Sequence, residues 1–135
     1  MSTTEMLHAH PRADGPLVEV IARCIDACRD CVETCIACAD ACLAVEKLGD
    51  LRRCIRLDLD CVEICGAAAN VLSRPRADEA WAVRSIVEAV RDVAERCGAE
   101  CERHASQHEH CRVCAEVCEN CERACQALLK VTPAA

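Results

Sequence analysis

Phenylalanine and tyrosine are missing from all 135 residues, and Trp81 is the only tryptophan. Large rings contribute much of the buried area in an ordinary domain of this length, so something other than side-chain bulk must fill this centre. Glycine and proline are scarce, at four each, and Pro11, Pro16 and Pro133 lie near the termini. A sandwich or barrel with many tight turns needs more of both, whereas long helices need few. Positive charge is also short. The formal net charge is −7, and no basic stripe with interleaved aromatics occurs, which excludes a nucleic-acid surface. No apolar run approaches membrane-spanning length. The segment from Met1 to Pro11 has neither the apolar stretch nor the basic flank of a secretory leader. The expectation is a cytosolic chain with no membrane partner.

Catalytic signatures are equally thin. No phosphate-binding glycine loop occurs, and no Cys–His–Asp order singles out one nucleophile. The Glu-x-x-His element of carboxylate di-iron bundles is matched only by Glu5 and His8, outside the long helices. The chain is expected not to be an enzyme.

What is present in excess is cysteine, sixteen residues in all. Cys24, Cys28, Cys31, Cys35, Cys38 and Cys42 follow one another at alternating gaps of four and three. That is the spacing of one face of an α-helix, here carrying thiol where a packing seam carries leucine. Cys111, Cys114, Cys118, Cys121 and Cys125 repeat the rhythm. Cys54, Cys61 and Cys65 hold it with Asp58 in the same register, and Cys97 and Cys101 continue a hydrocarbon seam of Val83, Ile86, Val90 and Val93.

Helix boundaries follow from the breakers. Residues 1–15 read as a flexible tail, in which Met6, His8 and His10 are potential but unassigned metal donors. Pro16 opens a first helix running from Leu17 to about Glu46, closed by Gly49, with Asp50 as N-cap of the next. The second spans Leu51–Leu72 and stops before Pro75. A third runs from about Ala77 to Arg103. Ser106 and Glu109 fit a capping box, so a tight turn is expected before a fourth helix to about Lys130. One continuous helix from Ala77 to Lys130 is the alternative. The expected fold is all-α, an antiparallel up-down-up-down four-helix bundle with a Cys-lined core, in a single domain over residues 16–131. A second apolar stripe lies one residue past the cysteines, at Ile25, Val32, Ile36 and Leu43 and at Ile55, Leu59 and Val62. One residue is about 100° of rotation, so these cannot all share the seam, and self-association is the expected use of the remainder.

Sixteen thiols in a cytosolic chain are metal ligands before they are disulfides. Neighbours along one helix face are also badly placed for cystine. Zinc and iron–sulfur sites gather four ligands on loops or turns, whereas these rows form lines on unbroken helices. Cu(I) suits a line, because it accepts two or three thiolates and each thiolate can bridge two ions. Capacity then approaches one ion per thiol, about 16 per chain. His104, His108 and His110 flank the expected turn and are candidate ligands at the bundle mouth. Asp58 is a candidate at the opening or at a wet edge of the core, since a carboxylate on that seam is costly without a partner or water. A zinc or heavy-metal sequestering protein is the alternative, and an iron–sulfur electron carrier a more distant one.

The chain resembles the copper storage proteins, four-helix bundles lined with cysteine. The likeness rests on the seams named above and covers residues 17 to about 130. It is similar to their cytosolic branch, because no methionine follows Met6, whereas the exported branch is richer in methionine at the mouth. The resemblance implies many Cu(I) ions on core thiolates, a homotetramer, and histidines at the open end, matched by His104 and His108.

Overall fold

A computed structural model describes residues 2–74 and 79–133. Among these, every regular element is helical. The order is α1 (Thr3–His8), α2 (Gly15–Leu43), a 3-10 turn (Gly49–Leu51), α3 (Arg52–Leu72), α4 (Ala80–His104) and α5 (Glu109–Val131). Each of α2 to α5 packs chiefly on its two neighbours in the cycle α2–α3–α4–α5–α2. Direction is read from the sulfurs. Cys24, Cys31 and Cys35 of α2 face Cys125, Cys118 and Cys114 of α5, so one number rises as the other falls. Cys54 faces Cys101 and Cys61 faces the Val93 carbonyl, which makes α3 and α4 antiparallel as well. The expected up-down-up-down bundle is the observed one.

The ends of the helices differ from expectation in instructive ways. Pro16 does lie in the first turn of α2, where its missing N–H costs nothing. The C-terminus of α2 comes at Leu43 rather than Glu46, in a tightened turn where the Ala44 amide donates to the Ala41 carbonyl. Gly49 is therefore not its cap. Gly49 and Asp50 belong to the 3-10 turn instead, and Leu51, 2% exposed, anchors that turn and leads directly into α3. At the last break the capping box fails. His108 takes the N-cap position of α5, and Glu109 is its first helical residue, bonded to Arg112 at 2.8 Å. The turn itself is real, so the continuous-helix alternative is not adopted. Pro75 and Ala77, expected to stop one helix and begin the next, lie outside the described residues.

Where sequence suggests a tail, the structure has α1. Its N-cap Ser2 accepts from the Glu5 amide while Glu5 reaches back to the Ser2 amide, a complete capping box. Leu7 is buried, and Thr3 bonds Asp26 and Arg29 of α2 at 2.7 and 3.2 Å. This helix docks on the N-terminal half of α2.

The interior has two compartments. Nearest α1 the core is hydrocarbon: Val18, Leu72, Val87, Val90 and Leu128 are all buried. Past Ala22, Val93 and Ala68 the cysteine rows take over and run to the opposite end. Small residues let the helices close around them. A Cβ at Gly98 of α4 would meet Cys118 Cβ of α5 at 3.3 Å, tighter than ordinary contact.

Candidate metal centre

The α-helical gaps of four and three leave every cysteine pointing at the bundle axis. All sixteen are free thiols, and the most exposed, Cys38, shows 2% of its surface. They form a continuous column. Starting at the end away from α1, the first layer is Cys42, Cys54, Cys111 and Cys38, whose sulfurs lie within 4.8 Å of one another. Cys54, Cys38 and Cys101 then converge with Asp58, and Asp58 converges in turn with Cys97, Cys101 and Cys114. Cys35, Cys97, Cys114 and Cys118 make the next group. Cys31 follows against Cys118 at 4.0 Å, with Cys61 and Cys121 beside it. Cys28 neighbours Cys65, and the column ends at Cys24, Cys28 and Cys125. Consecutive groups share members, so no set of four is isolated from the next.

Asp58 is not at the opening or on a wet edge. It is wholly buried, one layer inside the column. Its Oδ1 accepts from the thiols of Cys97 and Cys114 at 3.3 and 3.4 Å, and Oδ2 from Cys54 at 4.0 Å. Burial, reinforced by Cys114 and Cys97, pushes its carboxyl up to about 11. It is therefore a neutral acid at neutral pH, which is how a carboxyl survives in this position. Burial likewise raises the Cys111 thiol to about 11 and raises Cys42.

The three histidines do gather at one end, but each sits differently. His110 is the one that touches a thiol, with Nε2 3.4 Å from Cys42 Sγ. Burial and the neighbouring His108 lower its pKa, leaving a neutral imidazole with a lone pair to offer. His108, half-buried, lies with its ring centre 5.4 Å from that of His110. His104 is 6% exposed, and its Nε2 is 2.9 Å from a carboxylate the sequence gives little reason to notice, Glu100. A cavity of about 490 Å³ opens beside this end, lined by His104, Gln107 and His108 and by the Val45–Leu51 loop. Met6, His8 and His10 lie at the other end, around α1, where His8 approaches Glu19 at 3.8 Å.

A column of shared, soft, buried donors closed at one end and ringed with imidazole at the other is chemically a container for soft cations. The family model for copper storage protein matches residues 18–130. The chain belongs to the copper storage protein family. Among solved structures, the copper storage protein Ccsp from Streptomyces lividans loaded with 10 copper equivalents is 48% identical, covering 95% of this chain and 98% of that one, with a TM-score of 0.90. A cytosolic copper storage protein from Streptomyces lividans with five coppers is 52% identical, over 83% of this chain and 93% of that one, with a TM-score of 0.81. The metal-free copper storage protein from Bacillus subtilis is 35% identical, over 78% and 95%, with a TM-score of 0.66. Among curated protein sequences nothing matches.

Within this family frame, most of the site was readable from spacing. The exception is Glu100. The one available signal is its place four residues before His104, on the same face of α4.

Proposed function

We propose that this chain is a cytosolic Cu(I) store. In this reading its ligands are the sixteen cysteines with Asp58 inside the column, and uptake runs through His104, His108 and His110. Its role is to hold and release metal, not to turn over a substrate. The observation that carries this is the sharing of thiols between successive groups. Zinc in a structural site claims four thiolates for itself, whereas bridging thiolates let a line of monovalent ions share one wall.

Charge supports the same choice. Each proton displaced from a buried thiol leaves one negative charge, and each Cu(I) brings one positive. At one ion per thiol the interior is neutral, which a buried site requires. A dication on four thiolates would leave two negative charges uncompensated per ion. The cytosolic assignment draws on the Streptomyces lividans relative described as cytosolic. No helix of the described residues is long and apolar enough to cross a membrane. A homotetramer accords with the apolar stripe: Ile36, Leu43 and Leu59 are more than half exposed, while Ile25 alone of that stripe is fully buried.

Anaerobic titration with Cu(I), followed by thiolate-to-copper absorption in the ultraviolet against a competing chelator, tests the reading. The expected end point is about 16 ions per chain. Saturation at one to four would overturn it, and so would displacement of bound copper by stoichiometric zinc.

A further inference from the structure

We propose that Glu100 is a positioning residue for copper uptake: it fixes the tautomer and orientation of His104 so that Nδ1 is presented at the mouth. This rests on the reading of the histidine-bearing end as the place where copper is taken up.

Glu100 is 4% exposed, and among the described residues Asp58 is the only other buried acid. A buried carboxylate needs compensation, and this one has three partners. Oε1 accepts from Arg103 at 2.8 Å and faces Arg53 Nε of α3 at 3.4 Å, and Oε2 accepts from His104 Nε2 at 2.9 Å. The two guanidinium groups keep it an anion, and an anion only accepts, so the imidazole must carry its proton on Nε2. Among the described residues the His104 side chain bonds only through Nε2, and no buried side-chain nitrogen is left without a partner. In the neutral imidazole Nδ1 is therefore the nitrogen with a free lone pair, on a ring that lines the 490 Å³ cavity.

A carboxylate on the far nitrogen of a ligating imidazole holds the ring in place and makes the near nitrogen a better donor, and its loss typically costs 10–100-fold. Among the described residues no carboxylate bonds His108 or His110: one is the N-cap of α5, the other lies against Cys42. The arrangement makes His104 the histidine prepared in advance for an incoming ion.

The test compares wild type, Glu100→Ala, Glu100→Gln, His104→Ala and the Glu100→Ala/His104→Ala double variant. Stopped-flow measures uptake of Cu(I) from a weak chelator, a titration measures final capacity, and nitrogen-15 NMR of the metal-free protein reads the His104 tautomer. Wild type should show Nδ1 unprotonated, and Glu100→Ala a mixture of tautomers. Glu100→Ala and His104→Ala should each slow uptake about tenfold or more, with nothing further lost in the double variant and capacity unchanged throughout. Glu100→Gln, whose amide oxygen still accepts from Nε2, should recover most of the rate. If His104→Ala is slow but Glu100→Ala loads at the wild-type rate with its tautomer unchanged, this inference is wrong while the histidine reading stands. If His104→Ala itself loads normally, both fall.

Discussion

Asp58 sets the chemistry inside the column at the scale of one residue. In an unfolded chain its carboxyl loses its proton near pH 3.9, but in the fold it keeps it up to about 11. Between those values the native state binds one proton more than the unfolded state. Stability of the metal-free protein is therefore fully supported by this group below about pH 4 and declines as pH rises, by at most about 1.4 kcal/mol per unit. Asparagine has no proton to lose. Urea unfolding of reduced, metal-free protein at pH 4.5 and 6.5, where at most about 1% of each unfolded thiol is ionised, should show a clear fall for wild type. Asp58→Asn should lessen it and be the more stable of the two at pH 6.5.

The register of Asp58 was visible in the sequence, because gaps of four and three bracket it between Cys54 and Cys61. Its depth was not, since an acid on a seam equally fits a wet edge. Besides Cys54 on its own helix, Cys97 of α4 and Cys114 of α5 make burial tolerable, and no local pattern reveals those two. Glu100 escaped notice for the same reason. A glutamate on a helix is usually solvated, and only Arg53, from another helix, together with His104 and Arg103 allows it to be buried.

Among the elements, the division of the bundle into hydrocarbon and sulfur compartments predicts a division of labour. Leu128 on α5 and Leu72 on α3 belong to the compartment that packs without metal, each 2% exposed. Leu128→Ala should lower the unfolding free energy of the metal-free protein by about 2–5 kcal/mol. The copper end point of a sample kept folded in the cold should not change, because no sulfur moves out of line. Thermal melts followed by far-UV circular dichroism, paired with the titration, separate the two effects. Helix existence was easy to read here because a 3.5-residue period persists for six cysteines. Helix ends were harder: Ser106 and Glu109 satisfy a capping pattern that the chain does not use, while Ser2 and Glu5 satisfy one that it does. The difference lies in Leu7, whose burial on α2 repays the ordering of the short α1.

For the whole molecule, the exposed faces of α2 and α3 matter most. Leu43 and Leu59 are 60% and 53% exposed, on a chain with a net charge of −7. An acidic surface that keeps such residues uncovered wastes favourable burial, and the proposed assembly would cover them. Leu43→Glu with Leu59→Glu should yield a monomer by size-exclusion light scattering, while wild type elutes as the larger species. Copper bound per chain should be equal in both, since every sulfur faces its own bundle axis.

With copper entering at the histidine-bearing end, as proposed, the hydrocarbon layers around Val87, Val90 and Leu128 close the far end of the sulfur column. Traffic through a blind corridor is single file, and the last occupant to arrive is the first to leave. An excess of chelator should therefore strip one fraction quickly from the sulfurs near His110 and a second, slower one from those near Cys24, with the slow fraction growing as loading is lowered and the ions settle inward. A release trace that follows one exponential at every loading would mean that copper also escapes sideways, between the helices.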